Sequence, residues 1–287
     1  MTIYHNRTYV SRWIKKHPYD KLHFMKMIFI RHAEPDYIND ALTEKGDREA
    51  RALSKRIAKW HVTKAYLSPQ GRAIQTASYS LKALGIEAET LPFLHEFSSR
   101  VTDPVTQREG IAWDFIASDW TKYDCMFGLE DSFMGYPCIK ESTEMPVKYK
   151  EVIDGIDIIL KEFGYVREGR FYRNLNAKER FLRSTVSDDH KIVNNSPYED
   201  PNDEPVLLFF CHLGVTLLIM SHLMNLPFES LTHGIFLPSS SITVLSTEER
   251  WSNEAYFRAQ VIGDCRHLYD AGEPISPAGS FAEPFQD

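Results

Sequence analysis

The sequence predicts an α/β protein with a mostly parallel central sheet, and three observations lead to this class. Two short apolar runs, Met27–Ile30 and Val206–Phe210, have the length and composition of buried strands. Helix-like stretches alternate with short strands along much of the chain, which is typical of a parallel sheet with crossover helices. The chain has 287 residues, 43% of them hydrophobic, and is therefore long enough to bury a large core.

The first helix is predicted from Glu44 to about Lys59, because Thr43 is a favourable N-cap residue. Its core face consists of apolar residues at helical spacing, namely Ala50, Leu53, Ile57 and Trp60. This helix follows the first predicted strand after a short loop, as expected for a crossover connection.

A second helix is predicted after the short strand Ala65–Leu67. Ser68 would cap this helix, Pro69 would occupy its first position, and Gly85 would end it. Its apolar stripe would be Ile74, Ala77, Leu81 and Leu84. Arg72 then falls in the first turn, where free N–H groups and the helix dipole favour a bound anion.

The remaining elements are a long helix, a hairpin, a further helix and two closing strands. We predict the long helix from Pro146 to Phe163 and the hairpin over residues 165–172, turning at Glu168 and Gly169. A helix from Val215 to Asn225 and strands over 241–245 and 256–262 complete the fold.

These elements define one domain over residues 25–270. We expect residues 97–205 to be an insertion that covers the active site, because they break the strand–helix rhythm. Residues 1–24 would be an N-terminal extension and residues 271–287 a loose tail. The polar stretch 187–204 carries several carboxylates, but a solvated loop explains them better than a metal site.

Both long apolar strands end in histidine. Arg31 and His32 follow the first strand, and His212 follows the second. The carboxyl ends of parallel strands form the usual binding edge of an open α/β sheet. Arginine holds phosphate oxygens by paired hydrogen bonds, and a neutral imidazole can attack phosphorus. The alternative for His32 taken alone is a strand-end histidine that caps a loop.

The ordered set of motifs resembles the histidine phosphatase superfamily, which includes the cofactor-dependent phosphoglycerate mutases. The family motif Arg-His-Gly corresponds to Arg31-His32-Ala33, and Ser-Pro-x-x-Arg-Ala-x-Gln-Thr-Ala corresponds to residues 68–77. The family's Leu-Thr-Glu-x-Gly corresponds to residues 42–46. The resemblance covers roughly residues 27–97 and 205–267, and it implies a three-layer sandwich with helices on both faces of the sheet.

The resemblance also implies the role of each site residue. His32 would be the nucleophile that forms a phosphohistidine, and Glu96 would be the general acid and then the base. Arg31, Arg72 and a protonated His212 would bind the phosphate, with neither metal nor cofactor. Asp103 or Glu109 is the alternative acid, and His95 is a candidate for the pocket lining. Cys211 is expected to pack in the core, because adjacent strand residues point to opposite faces.

Three functions remain open at this point. The leading hypothesis is a metal-independent phosphatase for a small phosphorylated metabolite, because the Glu-Arg-x-Tyr-Gly pattern of the mutases is replaced by residues 96–100, Glu-Phe-Ser-Ser-Arg. The second is mutase-type phosphotransfer, and the third is a noncatalytic module that binds a phosphate ligand. Aromatic residues of the insertion would line a pocket or form the core of a lid: Trp113, Phe115, Trp120, Tyr123, Phe127 and Phe133.

Composition limits the partners and the compartment. The net charge of −7 and the sequence pI near 5.9 disfavour nonspecific binding to nucleic acid or to a membrane surface, which requires a basic face. Four cysteines in no Cys-x-x-Cys arrangement indicate reduced thiols in a cytoplasmic protein. No apolar stretch approaches the length of a membrane span, and residues 1–26 lack the apolar region of a signal peptide.

Overall fold

A computed structural model describes residues 25–111, 114–175, 204–251 and 253–286. The predicted N-terminal extension, most of the acidic stretch (residues 187–203) and Trp113 lie outside these ranges. Within them, one eight-stranded sheet carries helices on both faces, so the predicted α/β class is confirmed.

The strands are β1 (Lys26–Arg31), β2 (Pro35–Asp36), β3 (Ala41–Leu42), β4 (Lys64–Leu67), β5 (Ala88–Thr90), β6 (Arg100–Thr102), β7 (Glu109–Ile111), β8 (Tyr165–Glu168), β9 (Phe171–Asn174), β10 (Val206–Cys211), β11 (Ile242–Trp251) and β12 (Glu254–Asp264). The α-helices are α1 (Glu44–Ile57), α2 (Gly71–Leu84), α3 (Ala117–Trp120), α4 (Pro137–Lys140), α5 (Met145–Glu162), α6 (Leu213–Met224), α7 (Phe228–Gly234) and α8 (Arg266–Ala271). Three single 3₁₀ turns lie at Pro92–Leu94, Asp124–Phe127 and Ser132–Gly135.

The sheet has the strand order β5-β4-β10-β1-β11-β12-β9-β8. The strands from β5 to β1 are parallel to one another, whereas β11, β12, β9 and β8 pair antiparallel in succession. The parallel half places the carboxyl ends of β1, β4 and β10 at one edge. This edge is where the sequence predicts the functional residues.

Both faces of the parallel strands are buried, which explains their continuous apolar sequences. Met27 and Phe29 of β1 belong to one core cluster, together with residues of α5 and α6. Ile28 and Ile30 belong to a second cluster, together with residues of α1 and α2. Successive side chains of β1 thus point to opposite faces of the sheet and pack into two separate cores. The sheet is therefore the middle one of three layers.

Helix α1 begins where the sequence predicts. Thr43 is its N-cap, and the Thr43 Oγ1 atom accepts a hydrogen bond from the Gly46 amide at 3.0 Å. Gly46 is needed because a Cβ atom at this position would lie 2.2 Å from the Glu34 carbonyl oxygen. This close contact holds the loop after β1 against the first turn of α1.

Helix α2 differs from the prediction in its start and in one residue of its apolar stripe. It begins at Gly71 with Gln70 as the N-cap residue, so Ser68 and Pro69 precede it. Ile74 is 44% exposed, whereas Ala77, Leu81 and Leu84 pack in or against the second core cluster as predicted. The buried Thr76 accepts a hydrogen bond from the Ala33 amide. Gly85 ends the helix in the left-handed conformation, as predicted.

The region predicted to be an insertion is partly integral to the main fold. The hairpin of β8 and β9 forms as expected, with its turn at Gly169 and Arg170, but it extends the central sheet through β12. Three of the candidate pocket aromatics are buried in the core beside the sheet: Phe115, Trp120 and Phe133. They therefore stabilise the fold and do not line an open pocket.

The expectation of a loose tail is wrong for its first part. Ile275 and Ser276 are buried, and the Ala278 carbonyl accepts a hydrogen bond from Arg31. The reason is that the buried guanidinium of Arg31 requires acceptors, and the tail supplies one. No helix within the described ranges is both long and apolar enough to cross a membrane.

Candidate active site

The two histidines predicted at strand ends lie side by side. Strands β1 and β10 are parallel neighbours with Arg31 opposite Cys211, so His32 and His212 leave the sheet together. Their ring centroids are 5.1 Å apart, and both side chains are buried. Parallel strand pairing alone therefore brings together residues that are 180 positions apart in the chain.

His32 is held in the tautomer that a nucleophile needs. Its Nδ1 atom lies 2.8 Å from the Ala33 carbonyl oxygen, and because a carbonyl only accepts, Nδ1 must donate the proton. The lone pair is then on Nε2. Burial, followed by the adjacent Arg31 cation, holds the pKa of His32 well below its usual value. The ring is therefore neutral at neutral pH.

His212 is held by Ser68, whose Oγ atom lies 2.7 Å from His212 Nε2. Ser68 Oγ also accepts from the Gln70 amide at 3.3 Å, and its own proton is available to His212 Nε2. We consider the tautomer in which Ser68 donates that proton. His212 Nδ1 then carries the other proton, and it is buried without a partner among the described residues. This N–H group is free to donate to a bound phosphate.

The surroundings of His212 favour its neutral form, whereas the sequence analysis expects a protonated ring. Burial, followed by the neighbouring His32, holds the pKa of His212 well below its usual value. A neutral His212 still donates one hydrogen bond through Nδ1. A phosphate dianion beside it would raise its pKa, because an opposite charge favours the charged form.

Arg72 lies in the first turn of α2, as predicted, and its guanidinium is nearly buried. Its Nη1 atom donates to Asp40 Oδ1 at 2.5 Å, and Asp40 Oδ2 accepts from the Gly71 amide at 2.6 Å. The guanidinium carbon lies 5.4 Å from the ring centroid of Tyr37. Asp40 thus accepts a hydrogen bond from the first residue of α2 and also holds the Arg72 guanidinium in place.

Arg31 is fixed by main-chain carbonyls. Its Nη1 atom donates to the Leu237 carbonyl at 2.6 Å, and its Nη2 atom donates to the Ala278 carbonyl at 2.9 Å. Its Nε atom is buried and has no partner within the part of the chain that the structure describes. Burial lowers the pKa of Arg31, although the value is far above neutrality in any protein.

Glu96 lies against the N-terminal end of α6. Its Oε1 atom accepts from the Val215 amide at 3.1 Å, and its own amide donates to Gln70 Oε1 at 2.8 Å. A Cβ atom on Gly214 would lie 2.8 Å from Glu96 Oε1 and 2.6 Å from the Phe97 carbonyl oxygen. Burial raises the pKa of Glu96, opposed by Arg31 and by the Val215 amide.

The alternative candidates are placed differently. Asp103 Oδ1 accepts from the amides of Val105 and Thr106 in a surface turn, which lowers the pKa of this carboxyl, and Glu109 is exposed. Cys211 is buried with its Sγ atom 3.3 Å from Thr216 Oγ1, and burial raises the pKa of this thiol to about 12. The His95 side chain is exposed.

Sequence reasoning missed four contributors to the site. Ser68 was assigned only to a helix cap, whereas it also orients His212. Asp40 and Tyr37 contact Arg72, and their positions in the loop after β1 follow from no pattern in the sequence. The tail contributes a carbonyl, a group that every residue has.

No group of three or more histidine, cysteine, aspartate or glutamate side chains arranged to hold a metal ion occurs among the described residues. Arg31 and Arg72 act electrostatically on both His32 and Glu96.

Comparison with known proteins supports the motif assignment. Residues 27–121 match the model of the histidine phosphatase superfamily, branch 1. This range contains β1, α1, α2 and Glu96, and ends before α5. No curated protein sequence matches the chain significantly.

Solved structures share the fold over most of this chain. A mycobacterial glucosyl-3-phosphoglycerate phosphatase superposes with a TM-score of 0.51 at 14% identity, covering 84% of this chain and 99% of that one. A variant of phosphoserine phosphatase from Entamoeba histolytica, in complex with phosphoserine, gives 0.51 at 15% identity, covering 85% and 99%. The structure called mycobacterial hydrolase 2 gives 0.50 at 15% identity, covering 88% and 99%.

Identities this low show a shared fold. The family model adds the motifs that carry the site residues of β1 and α2. Together they confirm the resemblance of this chain to the histidine phosphatase superfamily, branch 1.

Proposed function

We propose that this protein is a phosphomonoester hydrolase that acts on a small phosphorylated metabolite through a phosphohistidine at His32. The observation that carries the proposal is the state of His32, which is neutral and buried, with Nδ1 bound to the Ala33 carbonyl and Nε2 left free. Arg31 and Arg72 act on it electrostatically, and His212 lies beside it. A strand-end histidine that only capped a loop would not need two buried cations.

In the first step, His32 Nε2 attacks phosphorus and the bond from phosphorus to the leaving oxygen breaks. Arg31, Arg72 and His212 Nδ1 stabilise the negative charge on the three phosphoryl oxygens. Glu96 gives its proton to the leaving oxygen, so the product departs as a neutral alcohol. The raised pKa of Glu96 favours the protonated form that this step requires.

In the second step, water attacks the phosphohistidine and the bond between phosphorus and nitrogen breaks. Glu96, now ionised, takes the proton from the water and is ready for another turnover. His32 returns to its neutral form with Nδ1 still donating to the Ala33 carbonyl. The products are inorganic phosphate and the alcohol.

The test is a screen of small phosphomonoesters with purified protein in the presence of EDTA. We expect phosphate release that survives chelation, and no comparable interconversion of 2- and 3-phosphoglycerate. Efficient interconversion without phosphate release would instead indicate a mutase. Activity that chelation abolishes and a divalent ion restores would contradict the proposed chemistry.

We place this activity in the cytoplasm. The four cysteines all lie within the described ranges and are free thiols. Reduced thiols are the normal state of cysteine in that compartment. Tagging the protein in its native cells and imaging or fractionating them would test the location.

A further inference from the structure

A second cluster of cations lies away from the proposed active site, in a cleft between α1 and α8. The cleft has a volume of about 460 Å³ and is lined mainly by polar and charged side chains: Lys55, Arg56, Lys59, Trp60, Arg266 and His267. Four of these residues are cationic, and Asp270 is the acidic residue among those that line the cleft. The chain as a whole carries a net charge of −7, so this local excess of positive charge is against the overall trend.

Two of the residues that line the cleft also carry a buried nitrogen atom that lacks a partner. His267 is only 3% exposed, and its Nδ1 atom has no hydrogen-bond partner among the described residues. The Nη1 atom of Arg56 is likewise buried and unpaired within those ranges. A buried donor without a partner costs free energy, so such atoms indicate a missing acceptor.

The hydrogen bond to Ser240 decides whether the unpaired ring nitrogen of His267 is a donor. Its Nε2 atom lies 3.0 Å from Ser240 Oγ, and burial lowers the pKa of His267 to about 4, so the ring is neutral at neutral pH. When Ser240 donates to Nε2, the proton of the ring is on Nδ1. The cleft then offers an N–H donor together with the Arg56 guanidinium.

Part of this charge has a simpler explanation. Lys55 and Arg56 lie in the last turn of α1, where cations stabilise the helix dipole, and Arg56 also pairs with Asp264. Arg266 in turn lies 3.8 Å from Asp270 in an i,i+4 ion pair on α8. Neither the dipole nor these pairs explain Lys59, which lies beyond the last turn of α1, or the unpaired nitrogens of Arg56 and His267. An acceptor bound in the cleft would explain Lys59 and the unpaired nitrogens together.

We propose that the cleft between α1 and α8 binds a small polyanion, separate from the phosphate that is bound at His32. Lys55, Lys59 and Arg266 supply exposed charge, and Arg56 and His267 supply buried donors. The exposed lysines make the affinity dependent on ionic strength, because salt screens surface charges. The indole of Trp60 forms an apolar wall of the same cleft.

A ligand in this cleft would lie close to the main chain of the nucleophile. Ser240 connects the two sites, because its Oγ contacts His267 and its amide donates to the His32 carbonyl at 3.0 Å. Ser240 has a φ of 57°, in the left-handed region that a residue with a side chain rarely adopts. The hydrogen bonds of Ser240 to His267 and to the His32 carbonyl hold it in this conformation.

The test uses tripolyphosphate as the probe and calorimetry as the measurement. Titrations are made with the full chain carrying Arg72→Ala, which removes a cation from the proposed active site. We expect binding to persist in this variant. Adding Lys55→Glu and Lys59→Glu should weaken it by at least roughly tenfold, through lost attraction and new repulsion.

A matched control carries Arg72→Ala with Lys82→Glu and Lys161→Glu. Both of these lysines are also exposed and lie in the last turns of helices, α2 and α5, so their charges have the same relation to a helix dipole as Lys55. The control should bind as tightly as Arg72→Ala alone, and all variants should melt at similar temperatures. The proposal is overturned if tripolyphosphate does not bind to Arg72→Ala, or if both pairs of substitutions weaken binding equally.

Discussion

At the scale of single residues, the pKa of Glu96 is set by opposing contacts. Burial raises it, whereas Arg31 and the Val215 amide stabilise the ionised form. The protonated form of Glu96 is needed to give a proton to the leaving group. The ionised form is needed to take a proton from the attacking water. These opposing contacts act on both forms of the carboxyl, as a group that first gives a proton and then takes one requires.

We expect Glu96→Gln to reduce turnover of alkyl phosphates by roughly 10²–10⁴, the usual contribution of a general acid. Since the active form is protonated, the rate of the wild-type enzyme should fall as pH rises through the raised pKa of Glu96. The variant should lack this fall. A pH–rate profile of kcat/KM tests it.

Two comparisons show whether the effect of Glu96→Gln comes from the loss of an acid. The loss should be smaller for p-nitrophenyl phosphate, whose leaving group needs little protonation. Glu109→Gln, which alters an exposed carboxylate on β7, should leave the profile unchanged. An equal loss for both leaving groups would mean that Glu96 does not act as the acid.

Gly214 is required by the close approach of Glu96 and Phe97. In Gly214→Ala the new methyl group must displace one of two oxygen atoms that would lie within 2.8 Å of it. We expect a fall in kcat of roughly 10²-fold, the effect of a displacement of about 1 Å at a reacting group.

Gly234→Ala is the control for this substitution, because a Cβ atom there has no neighbour within 4 Å among the described atoms. It should retain full activity. Steady-state kinetics and thermal melting of both variants separate misplacement of Glu96 from loss of the fold. Normal kcat in Gly214→Ala would show that the position of Glu96 is not critical.

At the scale of elements, the C-terminal tail acts as a support for the phosphate site. It crosses the end of β1 and gives Arg31 one of its two carbonyl acceptors. Glu273, just before this segment, forms ion pairs with Lys45 and Arg48 of α1, which anchor the tail. The guanidinium of Arg31 is thereby held by the Leu237 carbonyl and by the anchored tail.

Truncation after Glu273 should therefore raise KM for phosphomonoesters. A hydrogen bond to a charged group contributes about 1.5–3 kcal/mol, so kcat/KM should fall by roughly 10- to 100-fold. Truncation after Ser280 removes the exposed residues Phe281 and Phe285 but keeps the Ala278 carbonyl, and it should have no effect. Equal kinetics for the two truncated chains would show that the tail does not support Arg31.

At the scale of the whole molecule, the sequence predicts the parallel half of the sheet better than the antiparallel half. The apolar runs of β1 and β10 are buried on both faces, and this leaves a clear pattern in the sequence. The hairpin of β8 and β9 is predicted as a hairpin, but local sequence does not reveal which strand it joins. Its pairing with β12 depends on contacts between residues about 80 positions apart.

The site residues likewise divide into those with a local signal in the sequence and those without one. His32, His212 and Arg72 follow recognisable signals, a strand end or a helix start, and the structure brings them together. The acceptors of Arg31 are carbonyls of Leu237 and Ala278, which carry no residue-specific signal. The neutral state of His212 depends on burial and on neighbouring charges, and these exist only in the folded chain.

The most direct test of the central claim is to trap the phosphoenzyme. Rapid quenching with a radiolabelled phosphomonoester should give a protein-bound phosphate that is labile in acid and stable in alkali, on the peptide that contains His32. His32→Ala should form no adduct and show no turnover while melting normally, whereas His61→Ala, at an exposed histidine, should behave as wild type. An adduct that is stable in acid and labile in alkali, or near-normal turnover by His32→Ala, would contradict the account.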